Sequence, residues 1–335
     1  PNDRFFVRSH VYTPRVDATA WRLRIEGEVA KPVALGLDEL KKLPRVEVVS
    51  VLECAGNGRS FYQPAIIGMP WRWGGVGNAR WTGIRLSSVL AMAGLKPGVK
   101  HLLFNGADAP IGTMPDFERT LPVAKGLAAE TLLAYEMNGE PLPASHGFPL
   151  RLIVPGWAGD SWIKWVTTIT ALDKEFEGFW MKTAYRYPAR PVAPGAAVDP
   201  ADMLPVEALR VKSVIASPLD GARVGAGPVR IRGAAWSGES PVVRVDVSTD
   251  SGRAWRPAAL GRDRARYAWR LWELEWTPPH SGSHVLMARA TDAAGQTQPL
   301  APDWNPSGYL WNVAPQIRVE TGGAPITPPA EPAPP

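Results

Sequence analysis

The pattern of hydrophobic and polar positions in residues 1–205 mixes two kinds of element. The stretch "WRLRIEGEV" (21–29) alternates as a half-buried strand does. In "IRLSSVLAMAGL" (84–95) the apolar residues lie three and four apart and Gly94 follows them, which is typical of a helix and its end. This part of the chain therefore predicts an α+β fold without a regular alternation of strands and helices.

Four further patterns belong to the same predicted domain. They are a short helix at "LGLDELKKL" (35–43), buried strands at "HLLFNGAD" (101–108) and "PLRLIVPG" (149–156), and a longer β-branched strand at "WIKWVTTITAL" (162–172). From about residue 186 to residue 206, five prolines lie among small residues, which is the composition of a linker. The first domain is therefore predicted to comprise residues 1–205.

After the linker only strand patterns remain. Period-two alternation with turns of Asp-Ser-Gly, Pro-Pro and Ala-Ala-Gly recurs at 227–238, 241–255, 267–279 and 282–296. Short strands at this spacing predict an antiparallel Ig-like β-sandwich. The second domain is placed at 207–320. Residues 321–335 form a proline-rich tail that is predicted to be disordered.

Length, charge and hydropathy narrow the class of protein. A chain of 335 residues with 45% hydrophobic residues indicates two folded domains. The net charge of +5 and the pI of about 9.4 favour an acidic partner or an ordinary solvated surface. Because Lys and Arg are scattered, nucleic-acid binding is not expected. No apolar run approaches the roughly 20 residues that a membrane span requires.

A single cysteine, Cys54, lies in "VLECAGNGRS" (51–60), where an alternating run breaks into a glycine loop. One cysteine excludes an internal disulfide, a four-cysteine metal site and a C-x-x-C-H haem attachment. Cys54 could be a small buried hydrophobic residue, a nucleophile with a histidine partner, or a soft metal ligand. Arg59 supplies a nearby positive charge, which favours a thiolate.

The Cys54 loop resembles that of the sulfite oxidase family of molybdenum enzymes. Other stretches resemble the same family in the same order: "FFVRSH" (5–10), "GMPWRWGGVGNARWTGIRLSSVL" (68–90), "LLAYEMNGEPLPASHGFPLRLIVPG" (132–156) and "WIKWV" (162–166). Later, "VIASPLDGARV" and "IRGAAWSGESPVVRVDVSTDSGRAW" resemble its Ig-like dimerisation domain. The resemblance covers about residues 4–318. It implies a sulfite-oxidase-type molybdopterin-binding domain followed by an Ig-like sandwich that pairs two subunits.

The resemblance also implies roles for individual residues. Cys54 matches the protein thiolate of the molybdenum, whose pterin supplies two dithiolene sulfurs, so one molybdenum per chain is expected. The residues matching those that bind the pterin and its phosphate are Phe6, Val7, Arg8, Ser9, His10, Asp108, His146, Arg151, Trp162, Ile163 and Lys164. The residues matching the substrate pocket are Arg8, Arg59, Trp71 and Tyr185.

Each of these positions also has an ordinary structural interpretation. His146 could be a loop histidine, Asp108 a turn residue, and Arg151 and Lys164 exposed residues of strands. The tryptophans could be core, and Tyr185 a residue of a domain interface. The ordered occurrence of all the motifs favours the site interpretation.

One position departs from the family pattern. In animal and plant sulfite oxidases an arginine of a Trp-Asn-x-Arg-Gly motif reaches the substrate, whereas "WNPSGYLWN" (304–312) carries Ser307 there. Loss of a charged hydrogen bond weakens anion binding by about 1.5–3 kcal/mol. Either another cation compensates or the substrate is a sulfane sulfur, another sulfur species or an oxo acceptor of a reductase.

The resemblance implies oxidation of sulfite to sulfate, with electrons passed to an external cytochrome c-type acceptor because the chain has no haem attachment motif. Export of the folded protein to a bacterial periplasm is expected, with a signal that this sequence does not contain. A homodimer through the second domain is also expected. A binding module without metal is the alternative from another class.

Overall fold

The computed structural model describes residues 1–322, whose contacts group into two units. The first unit comprises residues 1–210 and two later segments, 265–268 and 303–311. The second comprises 211–264, 269–302 and the chain from 312 onward. The nine-residue segment 303–311 was placed by its sequence position in the second domain, but its contacts are with the first unit. The predicted tail lies, from residue 323, outside the described residues.

The first unit is built mainly from short strands, with four helices in the described residues. The strands are β1 (Leu23–Gly27), β2 (Val33–Leu35), β3 (Arg45–Glu53), β4 (Val76–Arg85), β5 (His101–Asn105), β6 (Arg119–Pro122), β7 (Leu132–Met137), β8 (Glu140–Pro141), β9 (Arg151–Ile153), β10 (Thr168–Leu172), β11 (Arg186–Pro188) and β12 (Met203–Pro205). The helices are α1 (Leu37–Leu40), α2 (Leu86–Ala93), α3 (Val123–Gly126) and α4 (Phe179–Lys182). Single 3-10 turns occur at Asn2–Arg4, Arg59–Phe61, Ala144–His146, Gly159–Ser161 and Pro200–Asp202.

Two five-stranded sheets form the framework of this unit. One has the order β2-β1-β10-β5-β6, in which only β1 and β10 run parallel, and the other has the order β3-β4-β7-β8 with β9 beside β7. Alternate residues of β1, Leu23 and Ile25, are fully buried, as the sequence pattern predicted. β3 pairs with β4 over nine residue pairs and buries its last four residues. This long pairing fixes the position at which Cys54 leaves the sheet.

Several predicted elements are shorter in the structure than in the sequence pattern: the strands at 21–29, 101–108 and 149–156 contract to β1, β5 and β9, and two further elements differ more. The helix at 35–43 contracts to α1, and the strand at 162–172 begins only at Thr168. The backbone at Trp165 has φ +53, in the left-handed region, which a continuous strand does not allow. The prediction of a strand over 162–167 was therefore wrong. In contrast α2 ends at Gly94, with φ +67, as predicted.

The second unit is a two-sheet sandwich of β13 (Lys212–Ser217), β14 (Ala222–Val224), β15 (Val229–Trp236), β16 (Val242–Ser248), β17 (Arg256–Pro257), β18 (Ala259–Leu260), β19 (Arg270–Trp276), β20 (Gly282–Asp292) and β21 (Gln316–Thr321). The sheets have the orders β13-β15-β19-β18 and β14-β21-β20-β16-β17. Buried Ile231 and Trp272 from one sheet share a core with Val245, Leu286 and Val319 from the other. The predicted antiparallel sandwich is confirmed, although β14 runs parallel to β21.

Within residues 1–322, none of the helices has the length and apolar character that crossing a bilayer would require.

Candidate functional site

Cys54 lies at the point where β3 turns into a tight loop. Its amide donates to the carbonyl of Gly75 (N–O 2.8 Å), and its own carbonyl accepts from the amide of Asn57 (2.8 Å). The Asn57 side chain connects the loop to the end of β3 and to the residue before β4. Its Nδ2 donates to Glu53 (2.9 Å), and its Oδ1 accepts from the Gly75 amide (3.0 Å). Gly58 has φ +94, and a Cβ there would lie 2.6 Å from the ring of Trp311. The loop therefore holds the thiol in one place.

A cavity of about 700 Å³, measured with the open solvent at its mouth, lies beside this thiol in the first unit. It is lined by Cys54, by Tyr185 and by every residue that the resemblance implied for cofactor binding: Phe6, Val7, Arg8, Ser9, His10, Asp108, His146, Arg151, Trp162, Ile163 and Lys164. The lining also includes residues that sequence reasoning missed: Leu52, Ala55, Phe117, Ser145, Gly159, Asp160 and Trp165. Residues more than 150 positions apart thus meet in one cavity.

The cavity contains a buried arginine. The Arg151 guanidinium donates through Nη1 to the carbonyl of His146 (3.0 Å) and lies over the rings of Trp81 and Trp162 at 5.3 and 6.0 Å. Its Nε has no hydrogen-bond partner among the described residues. Burial lowers the pKa of Arg151 to about 9, because the charged form loses its hydration. Within residues 1–322 this buried cation contacts a carbonyl and two ring faces, which suits it to an anionic ligand.

Lys164 is a second basic group of the cavity. Its Nζ donates to Ser9 Oγ (2.5 Å) and to the carbonyl of Ser145 (3.1 Å), and lies 4.2 Å from the ring centroid of Trp165. Burial, and then the charge of Arg151, lower the pKa of Lys164 to about 7, against the opposing effect of Asp108. The Lys164 ammonium thus depends on nearby negative charge to stay protonated.

The acidic side chains of the cavity are fewer than the basic ones. Burial raises the pKa of Asp108 to about 6. Asp160 is paired with Arg119 (Oδ2–Nη2 2.7 Å), and burial nevertheless raises its pKa to about 6. With Asp160 and Arg119 offsetting each other, Asp108 faces three basic groups, Arg8, Arg151 and Lys164. The site therefore carries an excess of positive charge.

Tyr185 and His10 form a hydrogen-bonded pair in the cavity wall. The phenol oxygen lies 2.9 Å from His10 Nε2, and burial raises the pKa of Tyr185 well above 10. Burial, and then Arg8, lower the pKa of His10 to about 3, so its imidazole is neutral at physiological pH. Tyr185 has φ +55, an uncommon conformation for a side chain of this size. Backbone strain of this kind clusters at functional sites.

His146 contacts the N-terminal segment. Its Nε2 lies 3.1 Å from the carbonyl of Asn2, and its ring packs edge-on against Phe5 at 5.6 Å. Burial, and then Arg151, lower the pKa of His146 to about 4. Because a carbonyl oxygen only accepts, Nε2 of the neutral ring carries the proton and donates, which leaves Nδ1 as an acceptor for a heterocyclic ligand.

Arg59 and Trp71, predicted for the substrate pocket, are not among the cavity-lining residues. Arg59 is 8% exposed, and its charge acts on the Cys54 thiol. Trp71 packs edge-on against Phe6 (centroids 6.0 Å apart). Both side chains therefore lie around the cavity and not in its wall.

The segment 303–311 lies next to the Cys54 loop. The amide of Leu310 donates to the carbonyl of Ala55 (2.9 Å), and the Ser307 carbonyl accepts from Arg59 Nη2 (3.3 Å). The Tyr309 ring stacks on the Tyr185 ring, with centroids 5.1 Å apart and planes at 14°. Tyr309 was not predicted as a site residue, because no local motif connects it with Tyr185.

These residues fit an anionic pterin cofactor. The orphaned Nε of Arg151 and the lysine held by two oxygens are suited to a phosphate, and Asp108 and His146 are suited to heterocyclic donors and acceptors. Burial raises the pKa of Cys54, whereas Arg8 and Arg59 lower it. A bound metal cation would keep such a thiol deprotonated.

Comparison with known proteins identifies the family. Residues 10–180 match the domain family described as "Oxidoreductase molybdopterin binding domain", and residues 204–321 match the one described as "Mo-co oxidoreductase dimerisation domain". The chain belongs to the sulfite oxidase family of molybdopterin-binding oxidoreductases. The expected family and the expected two-part fold are confirmed, and the protein is an oxidoreductase.

Individual relatives agree with this assignment. The chain is 38% identical to mitochondrial sulfite oxidase from Homo sapiens, over 95% of this chain and 61% of that protein, and 32% identical to sulfite oxidase from Arabidopsis thaliana, over 92% and 85%. Among solved structures, the sulfane dehydrogenase SoxCD from Paracoccus pantotrophus matches with a TM-score of 0.82 and 31% identity, over 94% of this chain and 79% of that chain. This chain spans only 61% of the length of the mammalian enzymes.

Proposed function

We propose that this sulfite oxidase family member oxidises sulfite to sulfate with a Mo-molybdopterin held in the Cys54 cavity. The observation that carries the proposal is one thiol, Cys54, in the same cavity as the basic groups Arg8, Arg151 and Lys164. When bound, the molybdenum centre supplies the two-electron oxidation and the oxygen transfer. The overall reaction converts sulfite and water into sulfate, two protons and two electrons.

The chain's own residues then bind, orient and move protons. Cys54 would hold the metal, and Arg151 and Lys164 would hold the cofactor phosphate. Arg8 places positive charge in the cavity, where a dianionic substrate needs it. The neutral imidazole of His10 can accept the hydrogen bond of the Tyr185 phenol, which fixes the direction of the phenol. This pair is the candidate group for guiding a proton away from the reacting centre.

The decisive experiment combines metal content with turnover. Protein produced in a molybdopterin-making host should contain about one molybdenum per chain and reduce ferricyanide when sulfite is added. Cys54→Ser should lower kcat at least about 100-fold, because a hydroxyl is a poor ligand for a soft metal site. The control Ala171→Ser places a hydroxyl at a buried position of the other sheet and should keep the turnover. A Cys54→Ser protein with full activity would reject the proposed ligand.

A sulfane sulfur is the second candidate substrate, for two reasons. Ser307 offers Arg59 only its backbone carbonyl, and the solved structure with a TM-score of 0.82 is that of a sulfane dehydrogenase. The ratio of kcat/KM for sulfite to that for a peptide persulfide separates the two candidates. A fully loaded protein that oxidises the persulfide but not sulfite would favour the second.

The proposal includes an external acceptor and a location. With a single cysteine the chain cannot attach a c-type haem through C-x-x-C-H, so we propose electron transfer to a separate cytochrome c-type protein. We also propose a periplasmic location, supported by the resemblance alone. Cell fractionation of the native producer, with antibody detection, tests the location.

A further inference from the structure

Four side chains of the first unit form a chain of ring contacts beside Cys54. Arg119 Cζ lies 5.2 Å from the ring centroid of Tyr185, Tyr185 stacks on Tyr309, and Arg59 Cζ lies 4.9 Å from the ring centroid of Tyr309. Both tyrosines are near enough to Cys54 for a thiolate charge there to raise the pKa of each phenol. Stacked rings and cations over ring faces attract each other.

The hydrogen bonds of Arg59 explain why the Tyr309 ring contributes to holding its guanidinium. Its guanidinium donates to two backbone carbonyls, those of Met69 (Nη1–O 3.3 Å) and Ser307 (Nη2–O 3.3 Å), and its Nε has no partner within residues 1–322. Both of these hydrogen-bond acceptors of Arg59 are neutral. The face of the Tyr309 ring lies against the guanidinium, and the positive charge of Arg59 can still attract an anionic ligand.

Glycines leave the space that Arg59 occupies. A Cβ at Gly56, Gly68 or Gly308 would lie 2.9, 2.7 or 2.8 Å from an Arg59 side-chain atom. These distances are shorter than ordinary carbon contacts, so the guanidinium fits a slot with little free volume. The Tyr309 ring lies over one face of it.

Tyr309 itself is held by its backbone. Asn305 Nδ2 donates to its carbonyl (3.0 Å), Asn305 Oδ1 accepts from its amide (3.2 Å), and the Tyr62 hydroxyl donates to the same carbonyl (2.9 Å). Because the next residue, Leu310, donates to Ala55, the ring is fixed relative to the Cys54 loop. Tyr309 can therefore fix the positions of Arg59 and Tyr185, which both contact its ring.

We propose that Tyr309 is a positioning residue that fixes the side chains of Arg59 and Tyr185 relative to each other and so sets the affinity of the site for an oxyanion. The inference rests on the proposed function, because Tyr185 lines the cavity in which the substrate is proposed to bind, and Arg59, which lies beside that cavity, contributes its positive charge near Cys54. The aromatic ring performs the role, and the hydroxyl does not.

The test uses the molybdenum-loaded enzyme and three variants. Tyr309→Met removes the ring, Tyr309→Phe keeps it, and Tyr187→Met is the matched control, because Arg210 lies over the Tyr187 ring at 5.4 Å. KM and kcat for sulfite are measured with ferricyanide. Binding of sulfate to the oxidised enzyme is measured by titration calorimetry, which does not depend on turnover.

We expect Tyr309→Met to raise KM for sulfite and Kd for sulfate about tenfold, the equivalent of about 1.4 kcal/mol, with a change in kcat below about threefold. Tyr309→Phe and Tyr187→Met should keep wild-type values. If Tyr309→Met does not fold, Tyr309→Leu replaces it.

Two results would overturn the inference: unchanged sulfate affinity in the ring-less variant, or a loss of affinity in Tyr309→Phe. If loaded wild-type enzyme does not oxidise sulfite, the proposed function fails and the sulfate titration alone decides the role of Tyr309. A wild-type enzyme that binds no sulfate would overturn that role as well.

Discussion

At the scale of one residue, Lys164 makes the free energy of unfolding of the cofactor-free protein depend on pH. Its folded pKa of about 7 lies below the ordinary value of 10.5, because burial, Arg151 and Arg8 disfavour its charge more than Asp108 favours it. Above pH 7, an unfolded chain therefore binds more protons than the folded cofactor-free protein. The free energy of unfolding should rise with pH by at most about 1.4 kcal/mol per pH unit from this group.

Urea unfolding of cofactor-free protein between about pH 7 and pH 8.5 tests this prediction, since the pKa of Arg151, lowered to about 9, adds its own effect at higher pH. Lys164→Met should flatten the rise because methionine does not titrate. Lys96→Met, at an exposed position beside Glu28, should keep it. An unchanged slope in Lys164→Met would contradict the assigned pKa.

Some site residues were predictable from the sequence and others were not. Cys54 and the residues around Arg8 and Lys164 lie in continuous motifs that resemble those of the family. Asp160 could have been found from its position two residues before Trp162. Tyr309 is 124 positions from Tyr185 in the numbering, and no periodicity connects them. Contacts over such separations are set by the whole fold, so a local pattern does not reveal them.

At the scale of one element, the segment 303–311 depends on Gly308. This residue has φ +64, and an added Cβ would lie 2.8 Å from Arg59 Cγ. Gly308→Ala should destabilise the protein by about 2–4 kcal/mol, because backbone strain adds to overpacking. It should also raise KM for sulfite, since Arg59 must move. Urea unfolding and steady-state kinetics measure the two effects.

Gly112 supplies the control for this element. Its φ is +59, close to that of Gly308, and a Cβ there would meet no atom of the described residues within 4 Å. Gly112→Ala should therefore cost about 1 kcal/mol of backbone strain alone. Equal losses of stability in the two variants would mean that the Arg59 side chain moves away from the added Cβ without a further loss of stability.

The elements also differ in how well their patterns predicted them. The alternating stretches of the second domain became β15, β16, β19 and β20, because each buries one face against the opposite sheet. The stretch from Trp162 to Thr167 is rich in β-branched and aromatic residues, yet it lines a cavity and bends at Trp165. Propensity describes a half-buried surface and cannot anticipate a ligand cavity.

At the scale of the whole molecule, the match of residues 204–321 to a dimerisation domain leads us to expect a homodimer. Sedimentation equilibrium should give twice the 36.3 kDa mass of one chain. The mass should fall towards that of one chain only on strong dilution. A species of 36.3 kDa at the concentrations used for enzyme assays would contradict the prediction.

The charge of the whole chain predicts the sign of its salt response towards an electron acceptor. With a net charge of +5, the protein should attract an acidic cytochrome c and repel a basic one. Raising the ionic strength from about 0.01 M to 0.15 M shortens the Debye length from roughly 30 to 8 Å and screens both effects. The second-order rate constant should then fall for the acidic acceptor and rise for the basic one. The measurement is stopped-flow reduction of the two cytochromes by sulfite-reduced enzyme. Because the electron donor is the same in both reactions, an effect of salt on the enzyme alone would shift both second-order rate constants in the same direction. A rise for the acidic acceptor together with a fall for the basic one would show that a local acidic patch, and not the net charge, governs docking.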